Sequence, residues 1–267
     1  MTIKRFKFYW HIFWYFRKMR LMSLFEYRAD FFFWTTISTI WTVFNFFFFA
    51  LIANVNNGIG SWSVNEIYLL FSVFTIMDGL MWAFTFENMR TYTTAVFTGS
   101  IGAFLVKPID TQFVMTTQDS GYSEVTRLII GVVALIWSLE RLNAGQSIFH
   151  YLFFLVLFVC AFMLVNSMWF ILATCSFWLE RLDNINDVFP SLRRLWQVPR
   201  TIYSGIASTF FTVIVPLGLV VSIPSEILVG KFSLFWSVYF ILFSILTFIA
   251  ARAFFLFSIR RYKGVGN

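Results

Sequence analysis

Charge is scarce in this sequence. Asp, Glu, Lys and Arg make up 12% of its 267 residues, about half the share of an average soluble domain, which excludes a water-soluble globule. Cysteine is nearly missing: only Cys160 and Cys175 occur. Both fall in one apolar run, where helical rise would hold them about 22 Å apart, beyond disulfide reach, so they read as packing residues. The two histidines, His11 and His150, lie far apart in the chain, and a catalytic zinc site has no ligand set. No G-x-x-x-x-G-K-S/T phosphate loop is present, so the chain cannot hydrolyse ATP alone, and no G-x-S-x-G nucleophile elbow is present either. There is no internal repeat, nor the paired interrupted helices of inverted-repeat carriers. The N-terminus is basic and aromatic without a clean apolar core or small-residue cleavage site, so no cleavable signal peptide is expected.

What the chain does have is hydrophobic surface, 59% of its residues. Several runs reach the roughly 20 residues that cross hydrocarbon. The fold class expected is an all-α polytopic membrane protein with six transmembrane helices. The net charge of +7 would suggest nucleic acid in a soluble protein. Here it reads as cytoplasmic flanks held against anionic lipid, with membrane lipids as partners and no nucleic acid. The 38 phenylalanines suit lipid-facing positions.

Residues 1–28 read as an interfacial helix, with Lys4, Lys7, His11 and Lys18 forming a polar stripe among tryptophans and tyrosines. A first span is expected over 31–54, followed by a polar loop, and a second over 67–86. The second contains Asp78, with Ser72 and Thr75 as neighbours in a polar seam. An ionisable group at membrane depth points either to function or to pairing within the bundle. A cytoplasmic segment, 87–124, comes next. The third span has a short apolar core, 128–139. It is taken to cross because Arg181, Arg193, Arg194 and Arg200 would otherwise fall outside. The fourth run, 148–178, is longer than a straight crossing needs. Residues 179–203 read as a charged cytoplasmic connector, with Asp183 and Asp187 on a solvated face. A fifth span is expected over 204–222, an external segment over 223–231 and a last span over 232–258. All Lys and Arg except Arg141, Lys231 and Arg252 then flank one side, which places both termini in the cytoplasm.

The stretch 99–113, GSIGAFLVKPIDTQF, reads as a short surface helix stopped at Pro108, or as a loop with one apolar patch. Gly99, Ile101, Leu105, Lys107 and Pro108 fit the pattern G-x-I/L-x-x-x-L-x-K/R-P after a second span. That pattern resembles the ABC-2 type of ABC exporter permeases, in particular a bacterial branch of paired permeases. Glu26-Tyr27-Arg28, Pro199 with Tyr203, and Pro216 with Pro224-Ser225-Glu226 are further echoes. The family usually has an acidic residue where this chain has Gly102.

The resemblance implies an N-terminal elbow helix over 1–28, a six-span permease domain over 29–267 and a re-entrant outer segment over about 216–231. It implies a coupling helix on Gly99, Ile101, Phe104, Leu105, Lys107 and Pro108, with Ile101, Phe104 and Leu105 as its docking face. It further implies a separate ATPase subunit that binds ATP and Mg, no cofactor in this chain, a second permease copy or paralogue, and the inner cell membrane. The residues themselves leave a second class open, a membrane-embedded lipid-modifying enzyme or ion-coupled carrier using Asp78.

Overall fold

The computed structural model describes residues 3–142, 146–179 and 185–262. Among them the secondary structure is helical, with a single isolated bridge between Ile59 and Trp62. The N-terminal helix, α1 (Ile3–Glu26), meets α2 (Arg28–Val55) at Tyr27, whose backbone leaves the helical region. After the 56–63 loop, α3 (Val64–Phe97) begins at a capping box between Ser63 and Glu66. Two short helices follow, α4 (Ile101–Leu105) and α5 (Thr111–Thr117). Next come α6 (Val125–Leu142), α7 (Ile148–Phe177) and α8 (Ile185–Leu192). The chain closes with α9 (Gly205–Ile214), α10 (Pro216–Val229) and α11 (Leu234–Arg261).

Four of these helices, α2, α3, α7 and α11, are long and apolar enough to cross a membrane. The α3 helix continues well past the end expected for the second span. It accommodates a π-turn at Trp82–Phe86 and runs on through Glu87–Phe97. Its membrane part is the core of the bundle, with Leu69, Val73 and Met77 fully buried. Antiparallel to it lies α6, 18 residues long, or about 27 Å. Glycines let the two approach closely. A Cβ at Gly79 would lie 2.7 Å from Leu128, and one at Gly131 2.9 Å from the backbone of Ile76. This is the small-residue packing by which helices associate in lipid.

The bundle has two ends, one carrying the 56–63 loop and the other the 98–110 hairpin. The α7 and α11 helices start at the loop end and finish together at the hairpin end, where Phe177 meets Tyr262 with ring centres 5.3 Å apart. At the loop end, Gly60 lies against Thr201, Gly230 against Gln146, and Lys231 bonds Glu66 at 2.7 Å. So the chain from Thr201 to Lys231 begins and finishes at the same end. Its two helices, α9 and α10, are bent by 80° at a break at Val215.

This revises two expectations. The apolar stretch 204–222 is not one continuous helix, because Val215 (φ −129°, ψ 82°) ends α9 and Pro216 opens the next turn. Residues from Leu219 to Leu228 are buried in the bundle, and Pro224, expected to break a helix, sits within α10 without ending it. The passage from Phe177 back to Thr201 is instead made by the stretch read as a cytoplasmic connector, whose described part is 185–202. It rises past Asp78 at Arg193 and reaches Glu226 at Arg200.

Candidate functional site

Two places carry the polar chemistry. The first is built on Asp78, about 21 Å of helix rise from the start of α3. Its carboxylate accepts from Arg127 of α6 at 2.5 Å and from Arg193 at 3.0 Å. Arg127 also bonds Glu124 at 3.0 Å, and the Ser38 hydroxyl of α2 donates to Glu124 at 2.6 Å. Two carboxylates and two guanidiniums balance in charge. The Trp82 ring covers both cations, with centroids 5.9 Å from Arg127 and 6.0 Å from Arg193. Asp78 and Arg127 are buried. Charges taken out of water need such partners, because an unpaired one is far costlier than the pair.

The seam expected beside Asp78 divides. Thr75 shares a narrow crevice with Asp78, Asn45 and Gln197, between α2, α3 and the 185–202 stretch. Ser72 instead faces Ser138 of α6 at 3.3 Å. Each hydroxyl donates to its own helix, at 2.7 Å in both cases.

The second place is the hairpin end. Gly99 turns the chain in the left-handed region, φ +74°, where a side chain would be strained, and α4 follows. Ile101 is fully buried. It holds α4 to the bundle, so it does not belong to an outward docking face. Phe104 packs partly into the core, with the Lys107 ammonium 4.5 Å from its ring centre. Leu105 is half-buried, and the outward surface is carried by Ala103, Val106, Lys107 and Pro108. Val106 is 85% exposed. A Cβ at Gly102 would meet nothing within 4 Å.

The segment after the hairpin is tied on two sides. Asp110 caps α5 through the Phe113 amide at 3.0 Å and pairs with Arg252 of α11 at 2.5 Å. On the other side, Arg17 of α1 donates to Ser120, to the Thr117 carbonyl and, at 3.0 Å, to the Asp119 carbonyl. Arg20 pairs with Asp119 at 3.1 Å, and the Asp110 amide donates to Tyr9 at 3.2 Å. Burial lowers the Arg17 pKa from its ordinary value, while Tyr122 and Asp119 oppose the shift.

A family model described as ABC-2 family transporter protein matches residues 39–266. The chain belongs to the ABC-2 transporter family. No curated protein and no solved structure matches it.

In this ABC-2 protein the α1 residues read as a polar stripe lie on its exposed surface, together with aromatic ones. Lys4, Lys7, His11 and Lys18 are exposed, but so are Phe6, Trp10 and Trp14. The face turned to the protein is marked by Tyr9, Phe13 and Arg17, one helical turn apart. Sequence reasoning missed Arg17, Arg127, Arg193 and Arg252 as partners. Position within an apolar or interfacial helix was the available signal for Arg17, Arg127 and Arg252; none existed for Arg193. Asp187 is exposed on α8, whereas Asp183 and Arg181 lie outside the described residues. Among the described residues no cluster of His, Cys, Asp and Glu could hold a metal.

Proposed function

We propose that this chain is the membrane subunit of an ATP-driven ABC-2 exporter, working with a separate ATPase and with a second copy or paralogue of itself. In this reading the chain crosses six times, through the four long apolar helices α2, α3, α7 and α11, through the shorter α6, and through the passage containing 185–202. The loop end faces outward and the hairpin end the cytoplasm, with α9 and α10 dipping into the outer leaflet as a re-entrant pair. Charge supports this orientation. Toward the loop end Arg200 and Lys231 each meet a carboxylate, whereas Lys4, Lys7, Lys18 and Arg260 lie on segments at the hairpin end.

The observation that carries the reading is the form of α3. One unbroken helix runs from the loop end, past Asp78, to the hairpin that presents Ala103, Val106 and Lys107. A chain without a phosphate loop must receive work mechanically, and a rigid lever with an exposed tip is the means. ATP and Mg would be bound by the partner. Asp78 suits a carrier or enzyme poorly, because both of its oxygens are engaged by arginines.

The test is the ATPase recovered per permease after purification in mild detergent. Val106→Asp with Lys107→Glu should lower it several-fold and abolish export, while the permease stays folded. Ile101→Ala should instead act on stability, by about 2–5 kcal/mol, as loss of a buried aliphatic side chain does. Full ATPase recovery and full export by the charge variant would remove the hairpin from the coupling role.

A further inference from the structure

The α1 helix is pinned to 110–122 by polar bonds, yet its apolar side does not close onto the bundle. Between Phe13 of α1 and the α7–α11 pair lies a cavity of about 470 Å³, floored by Leu80 and Phe84 of α3 and walled by Phe162, Met163 and Phe248. It continues into a second space of about 420 Å³ that reaches Gln112 and Arg252. The two share Thr116, Asn166, Ser167 and Phe248.

The first space is mainly apolar, although Arg17, Thr117 and Asn166 also line it, and the second adds Asp110, Gln112 and Arg252. The Arg252 part, next to Asp110 and Gln112 and nine residues before the end of α11, offers guanidinium hydrogens beyond those given to Asp110 and Gln112. An apolar slot that becomes more polar toward the hairpin end matches one class of molecule in its surroundings. Its size lies in the range of sites that enclose small molecules.

We infer that this groove binds a phospholipid of the cytoplasmic leaflet, one acyl chain lying between α1 and the α7–α11 pair and the phosphate at Arg252. The lipid would complete the apolar seat of α1, which otherwise rests on its bonds to 110–122. The inference rests on the orientation proposed above for its choice of leaflet but not on coupling to an ATPase, so a failed coupling test leaves it standing.

The test uses the full chain in nanodiscs containing phosphatidylglycerol and phosphatidylethanolamine with a diazirine in the acyl chain. Adducts after irradiation are mapped by peptide mass spectrometry. They should concentrate on the peptides carrying Met163 and Phe248. Met163→Trp, which fills the slot, should lower adducts there at least fivefold, whereas Leu242→Trp on the exposed face of α11 should leave them unchanged. If Met163→Trp is poorly folded by size-exclusion chromatography, Val159→Phe is read in its place. Adducts as frequent around Leu242 as around Met163, or unaffected by the filling variant, mean only annular lipid and overturn the site. A bound molecule other than phospholipid in the native mass spectrum of the purified protein also overturns it.

Discussion

Asp78 shows what an ionisable group can do at membrane depth without touching a substrate. It joins α3 to α6 through Arg127 and to the 185–202 passage through Arg193, while Glu124 and Ser38 bring in α2. Such a cluster is weak evidence for stability as a whole but strong evidence of dependence among its members. Asp78→Asn should therefore destabilise the protein by about 3–5 kcal/mol, since Arg193 would lose its carboxylate and Arg127 would keep only Glu124. Arg193→Gln should cost less, because Asp78 keeps Arg127. The measurement is the thermal aggregation midpoint in detergent for both variants. A midpoint lower for Arg193→Gln than for Asp78→Asn would mean that the arginine, not the carboxylate, organises the cluster.

At the scale of the element, the 185–202 stretch separates what the sequence reveals from what it hides. The helices α2, α3, α7 and α11 were legible because each presents a long apolar run, and the hairpin because Gly99 and Pro108 punctuate it. Asp78 was legible as an isolated carboxylate. The 185–202 stretch was not, since it has Pro190, Arg193, Arg194 and Arg200 and no apolar run. In the proposed topology this stretch crosses, and a charged segment does so only where protein or water surrounds it. Here Asp78 and Glu226 neutralise two of those arginines, and both partners are remote in sequence. The 204–222 stretch misleads in the opposite sense, being apolar yet folded back on itself at Pro216. Single cysteines make the distinction measurable. Ser61→Cys and Thr201→Cys should react with an impermeant thiol reagent from the same side of the membrane, and Leu179→Cys from the other. Labelling of Thr201→Cys together with Leu179→Cys would return 185–202 to the cytoplasm.

Across the whole molecule, the hairpin end is bracketed by α1 on one side and α11 on the other, with α3 entering from above. One turn of α3 bears on how these parts are aimed. A π-turn adds a residue to a helical turn without ending the helix, and Trp82–Phe86 places that extra residue between the membrane half and the hairpin half. The wide turn absorbs that residue, so deleting one there would restore ordinary pitch with the hairpin half still facing as it does, whereas a deletion in the regular part of α3 beyond it would rotate everything that follows by about 100°. After such a rotation Tyr92 would swing away from Phe170, on which it now stacks at 5.1 Å, although the half of α3 before the deletion would stay in place. The turn acts as slack in the helix. A one-residue deletion at this point would leave both halves of α3 aimed as they are, and the same deletion further along the helix would re-aim the hairpin.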